Sequence, residues 1–165
     1  MTLKGFSHIG LSTRDLDRTR DFYEHVLGFR PVRCDVLKVK EGGQIRHIFF
    51  DTGRDQLIAF MEARDVPGVS ADYDAGINRG LGVPSAFYHF AFEAGSLEAL
   101  EKKRAELIEK GVRVTPIVDH EWAKSIYFKD PNNLTLEYCY QTRPLTEDDA
   151  RMQVRATISV RDFGM

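Results

Sequence analysis

Cysteine is scarce in this 165-residue chain, which has only Cys34 and Cys139. Both fall inside apparent strands and lack metal-type spacing, so neither a cysteine metal site nor a disulfide framework is expected. Charge of one sign is equally short. The 23 Lys and Arg residues are balanced by 25 Asp and Glu, giving a formal net charge of -2 with no basic run. That balance excludes the field of a nucleic-acid binder and the polybasic patch of a membrane-surface protein. No apolar secretory segment is visible, because Met1-Thr2-Leu3-Lys4 leads straight into a strand. The expectation is a cytoplasmic globular protein with small-molecule partners, long enough to bury a core without staples.

What is present is a repetition. Phe6-Ser7-His8-Ile9-Gly10-Leu11 is echoed by Phe87-Tyr88-His89-Phe90-Ala91-Phe92. Seven residues past each histidine stands a helix-starting residue, Asp15 or Ser96. In the first copy, alternation over 5–13 puts Phe6, His8 and Gly10 on one face and Ile9 and Leu11 on the other. A helix from Asp15, with Leu16, Thr19, Phe22, Tyr23, Val26 and Leu27 at helical spacing, stops at Gly28. Strands are expected at 29–39, 44–51 and 56–62, separated by Glu41-Gly42-Gly43 and Thr52-Gly53-Arg54-Asp55.

The second copy reads the same way. A strand over 86–93 leads to a helix over 97–110 ended by Gly111, then to strands at 112–118, 122–129 and 134–140. The turn Asp130-Pro131-Asn132-Asn133 joins the last two, with Asn133 suited to positive φ. The expected organisation is α+β: a single domain over 1–140, comprising a βαβββ module at 5–62, a linker at 63–84 and a second module at 86–140. A C-terminal extension, 141–165, includes a short helix capped by Thr146 and an added strand over 156–160.

One face of the repeat collects metal-ligating side chains. In the last strand, Thr135, Glu137 and Cys139 share a face, turned the same way as His89. A carboxylate in the apolar run Leu134-Thr135-Leu136-Glu137-Tyr138 needs a cation or hydrogen-bond donors to stay charged. A lone strand histidine is usually an ordinary core or edge residue. Here two stand at equivalent positions, each two residues from a small one, Gly10 or Ala91. His8, His89 and Glu137 therefore make a two-imidazole, one-carboxylate set of the kind that holds divalent iron and leaves coordination positions open.

With these residues the chain resembles the vicinal oxygen chelate superfamily, which includes glyoxalases, bleomycin-binding proteins, fosfomycin-resistance enzymes and extradiol dioxygenases. The resemblance covers 5–140, and its most specific motif is Ser125-Ile126-Tyr127-Phe128-Lys129-Asp130-Pro131-Asn132-Asn133-Leu134-Thr135-Leu136-Glu137. Asn132-Asn133 replaces the family's Asp-Gly at the turn. The resemblance implies two βαβββ modules with curled mixed sheets around a shared metal cleft. It implies His8, His89 and Glu137 as ligands of Fe(II), with Mn(II) or another divalent ion as the alternative.

Sliding one module over the other puts Ala59 where Glu137 stands, so the fourth protein ligand common in glyoxalases is lacking. Glu62 is turned to the opposite face and is expected at the surface. By resemblance to one-domain type I extradiol dioxygenases, His47 serves as acid and base near bound oxygen. Tyr127, ten residues before Glu137, hydrogen-bonds the bound catecholate, and His120 is the candidate for a further histidine that contacts substrate oxygen. His25 is expected in solvent, and Phe49, Phe87, Trp122, Tyr73 and Ile77 are candidate apolar walls. The implied reaction is cleavage of an aromatic ring beside a vicinal diol, with the diol and O2 as partners. Other metal-dependent reactions of the family, glyoxalase-like or fosfomycin-resistance-like, and non-catalytic small-molecule binding are the alternatives. The family also exchanges modules between subunits, so a homodimer is the expectation.

Overall fold

The structure, a computed structural model, describes residues 5–159, which divide into two compact units meeting between Ala75 and Gly76. In the first unit, β1 (His8–Ser12) is followed by α1 (Leu16–Asp21), which runs on as a π-helical turn, Phe22–Val26. Asp15 caps α1 by accepting the Arg18 N–H at 2.9 Å. Gly28, at φ +82°, ends the helical stretch in a left-handed conformation. Then come β2 (Arg30–Lys38), β3 (Gln44–Gly53) and β4 (Gln56–Arg64). The sheet order is β1-β4-β3-β2, with β1 parallel to β4 and the other pairs antiparallel.

The second unit opens with α2 (Ile77–Leu81), followed by β5 (His89–Glu93) and α3 (Leu97–Glu109). It continues with β6 (Val118–Asp119), β7 (Ala123–Lys129) and β8 (Thr135–Gln141). The sheet order, β5-β8-β7-β6, repeats that of the first unit, with β5 parallel to β8. The fold class is therefore α+β with two βαβββ modules. Each sheet is open and four-stranded rather than curled into closure.

The helical face of each sheet carries its core. In the first unit Tyr23 is fully buried, stacked on Phe50 with ring centroids 5.5 Å apart and tilted against Phe60 at 4.7 Å. Ile48, Ile58, Leu16 and Leu27 complete that layer. In the second, Leu100 and Leu107 of α3 are buried with Ile126, Phe128 and Leu136, and Phe128 stacks on Tyr138. Each such side chain contributes about 1.5–3 kcal/mol of apolar burial, which fixes the register of its strand. The alternate residues, the histidines among them, are thereby committed to the opposite face.

Several local expectations are corrected. The stretch 112–118 forms a strand only at Val118–Asp119. Thr115 does exchange bonds with Tyr127, but Pro116 has no N–H to continue the ladder. The segment 63–84 holds α2, whose five residues between Gly76 and Gly82 are too few to show a periodicity. At Thr146 there is a turn instead of a helix. Asp149 reaches back to the Thr146 N–H and is held by Arg143 at 2.7 and 2.8 Å, consuming the capping interactions a helix needs. Residues 156–159 form no strand, and Val160 lies outside the described residues. Among the described residues no helix is long and apolar enough to cross a membrane.

Candidate functional site

In the second unit the register sets Ala91, Glu137 and Tyr127 side by side across β5, β8 and β7. His89 Nε2 lies 3.1 Å from Glu137 Oε2. The other ring nitrogen, Nδ1, is 2.8 Å from the Ala86 carbonyl oxygen, which can only accept, so Nδ1 carries the proton. The Nε2 of His89 thus points at a carboxylate oxygen. Two acceptors at that distance repel unless a proton or a metal cation lies between them. Two ligands held ~2.1 Å from one ion at right angles stand about 3 Å apart, so the pair fits a shared metal ion. Among the described residues no three His, Cys, Asp or Glu side chains gather into a group able to hold a metal.

Tyr127 adjoins this pair. Its ring stands edge-on to His89 with centroids 6.1 Å apart, and its hydroxyl is 2.9 Å from His120 Nε2. Burial, reinforced by the Glu137 charge, pushes the Tyr127 phenol up to about 12. It is therefore a protonated hydrogen-bond donor throughout the neutral range. His120 is placed by its loop, its N–H donating to the Ala123 carbonyl at 2.8 Å.

In the first unit the same face carries His8, Gly10, His47, Phe49 and Ala59. Gly10 pairs with Ala59 as Ala91 pairs with Glu137, which confirms by register the equivalence of Ala59 and Glu137. A Cβ on Gly10 would meet nothing within 4 Å, so this face has room above it. His8 is exposed and packs edge-on to Phe49 at 5.8 Å, and His47 lies 4.2 Å from the same ring. The Nε2 of His47 is buried and has no hydrogen-bond partner among the described residues. Burial lowers its pKa below the ordinary 6.5; Asp35 opposes this, while His8 and Arg33 add to it. His47 is thus a neutral base at pH 7.

Glu62 is not at the surface, contrary to expectation. It is 3 % exposed on the helical face, where it accepts Arg46 Nε at 2.5 Å, Arg64 Nε at 2.8 Å and the Leu16 N–H at 3.2 Å. It caps α1 from a distant strand, a tertiary role that alternation alone does not disclose. His25 does stand in solvent, 3.1 Å from Asp21. Phe87 and Trp122 are 58 % and 38 % exposed, whereas Tyr73 is tied by its hydroxyl to the Thr13 carbonyl.

One positioning residue escaped the sequence. Asn78, in α2, is buried and donates to the carbonyls of Ser85 and Tyr88 at 2.9 and 2.7 Å, while accepting the Tyr88 N–H at 2.8 Å. It clamps the segment whose Ala86 carbonyl orients His89. Its only sequence signal is a polar residue between two glycines, which is too common to single out.

A duplicated open sheet, helix-covered on one face and carrying histidines on the other, defines a paired βαβββ protein with two polar site faces. The chain belongs to the Glyoxalase/Bleomycin resistance protein/Dioxygenase superfamily, whose model matches residues 5–138. It is 28% identical over 139 residues to the protein YwkD of Bacillus subtilis (strain 168), covering 83% of this chain and 97% of that one. Among solved structures it is similar to a glyoxylase/bleomycin resistance protein/dioxygenase domain from Frankia sp. EAN1pec. There the TM-score is 0.61 at 23% identity, over 85% of this chain and 99% of that one. The fosfomycin resistance protein FosX of Listeria monocytogenes matches with a TM-score of 0.57 at 21% identity, over 86% and 96% of the two chains. At these identities the two structures share the fold.

Proposed function

We propose that the chain is a metal-dependent extradiol dioxygenase that opens an aromatic ring beside two adjacent hydroxyl groups, using O2. The observation that carries this reading is the contiguous set Tyr127, Glu137 and His89 on one sheet face, with His120 of the adjoining loop bonded to the Tyr127 hydroxyl. His8, His89 and Glu137 would hold the metal, Fe(II) foremost and Mn(II) or another divalent ion otherwise, since two imidazoles and a carboxylate suit such ions. When bound, the ion supplies open positions at which the diol and dioxygen meet and through which charge passes between them.

The chain's own groups handle orientation and protons. The Tyr127 hydroxyl, kept protonated, donates to a substrate oxygen, while His120 at 2.9 Å fixes the direction of that hydroxyl. Neutral His47 accepts the proton lost from the diol at Nε2 and returns it to the developing product. Ala59 leaves the first unit without a carboxylate at the register position that Glu137 fills in the second.

The test is anaerobic purification, loading with Fe(II), and addition of a panel of catechols in air while watching for a yellow ring-opened product. Absence of product with every catechol, together with turnover of a thiol and an epoxide under Mn(II), overturns the reading in favour of fosfomycin-resistance-like chemistry.

A further inference from the structure

We propose that Lys129 is an anion-recognising residue of the second unit's site face, and that the aromatic diol taken there carries a carboxylate. The inference rests on the proposed function in taking that face as the one the substrate meets. Lys129, Thr135 and His89 form one row across β7, β8 and β5, directly beside the row of Tyr127, Glu137 and Ala91. The ammonium is drawn over the sheet by a 2.6 Å hydrogen bond to Thr135 Oγ1. That hydroxyl is spent in turn on the Ser85 carbonyl at 2.5 Å. The charge is thus pinned over the row it shares with His89 rather than swinging in solvent.

Nothing anionic completes it. Among the described residues, this bond to a neutral hydroxyl is the ammonium's sole hydrogen bond, and no carboxylate lies within ion-pair distance. Asp130, next in sequence, is buried, and its oxygens accept the N–H groups of Asn132 and Leu134 and the Asn132 amide. Burial lowers the Lys129 pKa, with Asp130 opposing and Arg79 assisting, as for a charge short of water. An ammonium has three donors, so two remain for a ligand.

The duplication supplies the comparison. In the first unit the equivalent row runs His8, Leu57, Asp51, and there the charge is closed by Arg30 at 3.0 Å from Asp51. The first row is self-neutralised, and the second leaves its cation for an incoming anion. A ligand carboxylate restores the solvation that burial removed and forms charge-assisted hydrogen bonds.

The experiment measures anaerobic equilibrium binding of 3,4-dihydroxybenzoate and 3,4-dihydroxybenzamide to the Fe(II)-loaded protein, for wild type, Lys129→Met and Lys129→Arg. Wild type should bind the carboxylate about 10–100-fold more tightly than the amide, the range expected for charge-assisted bonds. Lys129→Met should abolish that preference, with a far-UV circular dichroism spectrum and an Fe(II) content matching wild type showing the variant to be folded; Lys129→Arg should keep part of it. Equal binding of the two probes by wild type, absence of binding by either, or a preference that survives in Lys129→Met overturns the proposal. A preference lost in Lys129→Met without any ring cleavage sustains Lys129 and sinks the dioxygenase reading. Cleavage of catechol without the preference does the reverse.

Discussion

Ala59 and Glu137 occupy one register position in two copies of the same sheet: Ala59 lies between Gly10 and Phe49, and Glu137 between Ala91 and Tyr127. The copies keep the histidine and part at the carboxylate. That difference bears most directly on the chemistry expected of each face.

If Glu137 and His89 are direct ligands, Glu137→Gln and His89→Ala should each weaken metal binding by more than the ~10–100-fold typical of losing an outer-shell partner. Metal analysis after equilibrium dialysis of the Fe(II)- or Mn(II)-loaded protein reads this. Full metal content in Glu137→Gln would remove Glu137 from the ligand set.

Tyr127→Phe should retain metal and lose about 10–100-fold in turnover, the loss of one charge-assisted hydrogen bond of about 1.5–3 kcal/mol. Because burial and Glu137 push the phenol up to about 12, its ionisation lies beyond neutrality. The pH–rate profile between about pH 6 and 10 should therefore have no limb that Tyr127→Phe removes.

His47 gives a pH dependence of known sign. Its folded pKa lies below 6.5, so the unfolded chain binds the proton more readily. The contribution is fully present above pH 6.5 and is lost as pH falls from there through the lowered folded value. The groups facing it are Asp35, Arg33 and His8. In urea unfolding of metal-free protein, His47→Gln should flatten this acid slope; an unchanged slope assigns it to another group. With metal loaded, the same variant should keep the ion and lose turnover.

The Glu62 network is a matter of stability. Burial works against the Glu62 charge, but Arg46, the Leu16 N–H and Arg64 outweigh it and hold the carboxyl below its usual range. Arg46→Met should cost about 1.5–3 kcal/mol in denaturant unfolding, the loss of one charge-assisted hydrogen bond while Arg64 and the Leu16 N–H still hold Glu62. Metal affinity should stay within about twofold of wild type, a bound that follows if the network, which contains none of the proposed ligands, acts independently of them. A destabilisation below about 1 kcal/mol would mark the network as an ordinary surface pair.

Much of this architecture is legible from alternation and punctuation. The strand face of His8, the helix stop at Gly28, the left-handed turn at Asn133 and the equivalence of Ala59 with Glu137 follow from residue type and spacing. What escaped depends on partners distant in sequence. Glu62 is drawn inside by Arg46 and the start of α1, Asn78 by the carbonyls of 85 and 88, and Lys129 onto Thr135. Pro116 was visible, yet its effect on the 112–118 strand required knowing which N–H groups face β7. The meeting of His120 with Tyr127 likewise depends on a loop with Glu121 at φ +67°, a conformation that residue type does not announce.

The pairing of β1 with β4 also bears on the order of folding. In each sheet the strand made first pairs with the strand made last, while β3 and β4 are joined by a tight turn. Local hairpins form before contacts that must close a long loop. His8 is therefore made before the rest of its unit's sheet and, in refolding, is among the last of its unit to be fixed. In pulsed hydrogen exchange, amides of His8–Ser12 should gain protection after those of Gln56–Arg64. Simultaneous protection would mean that the sheet assembles as one cooperative step.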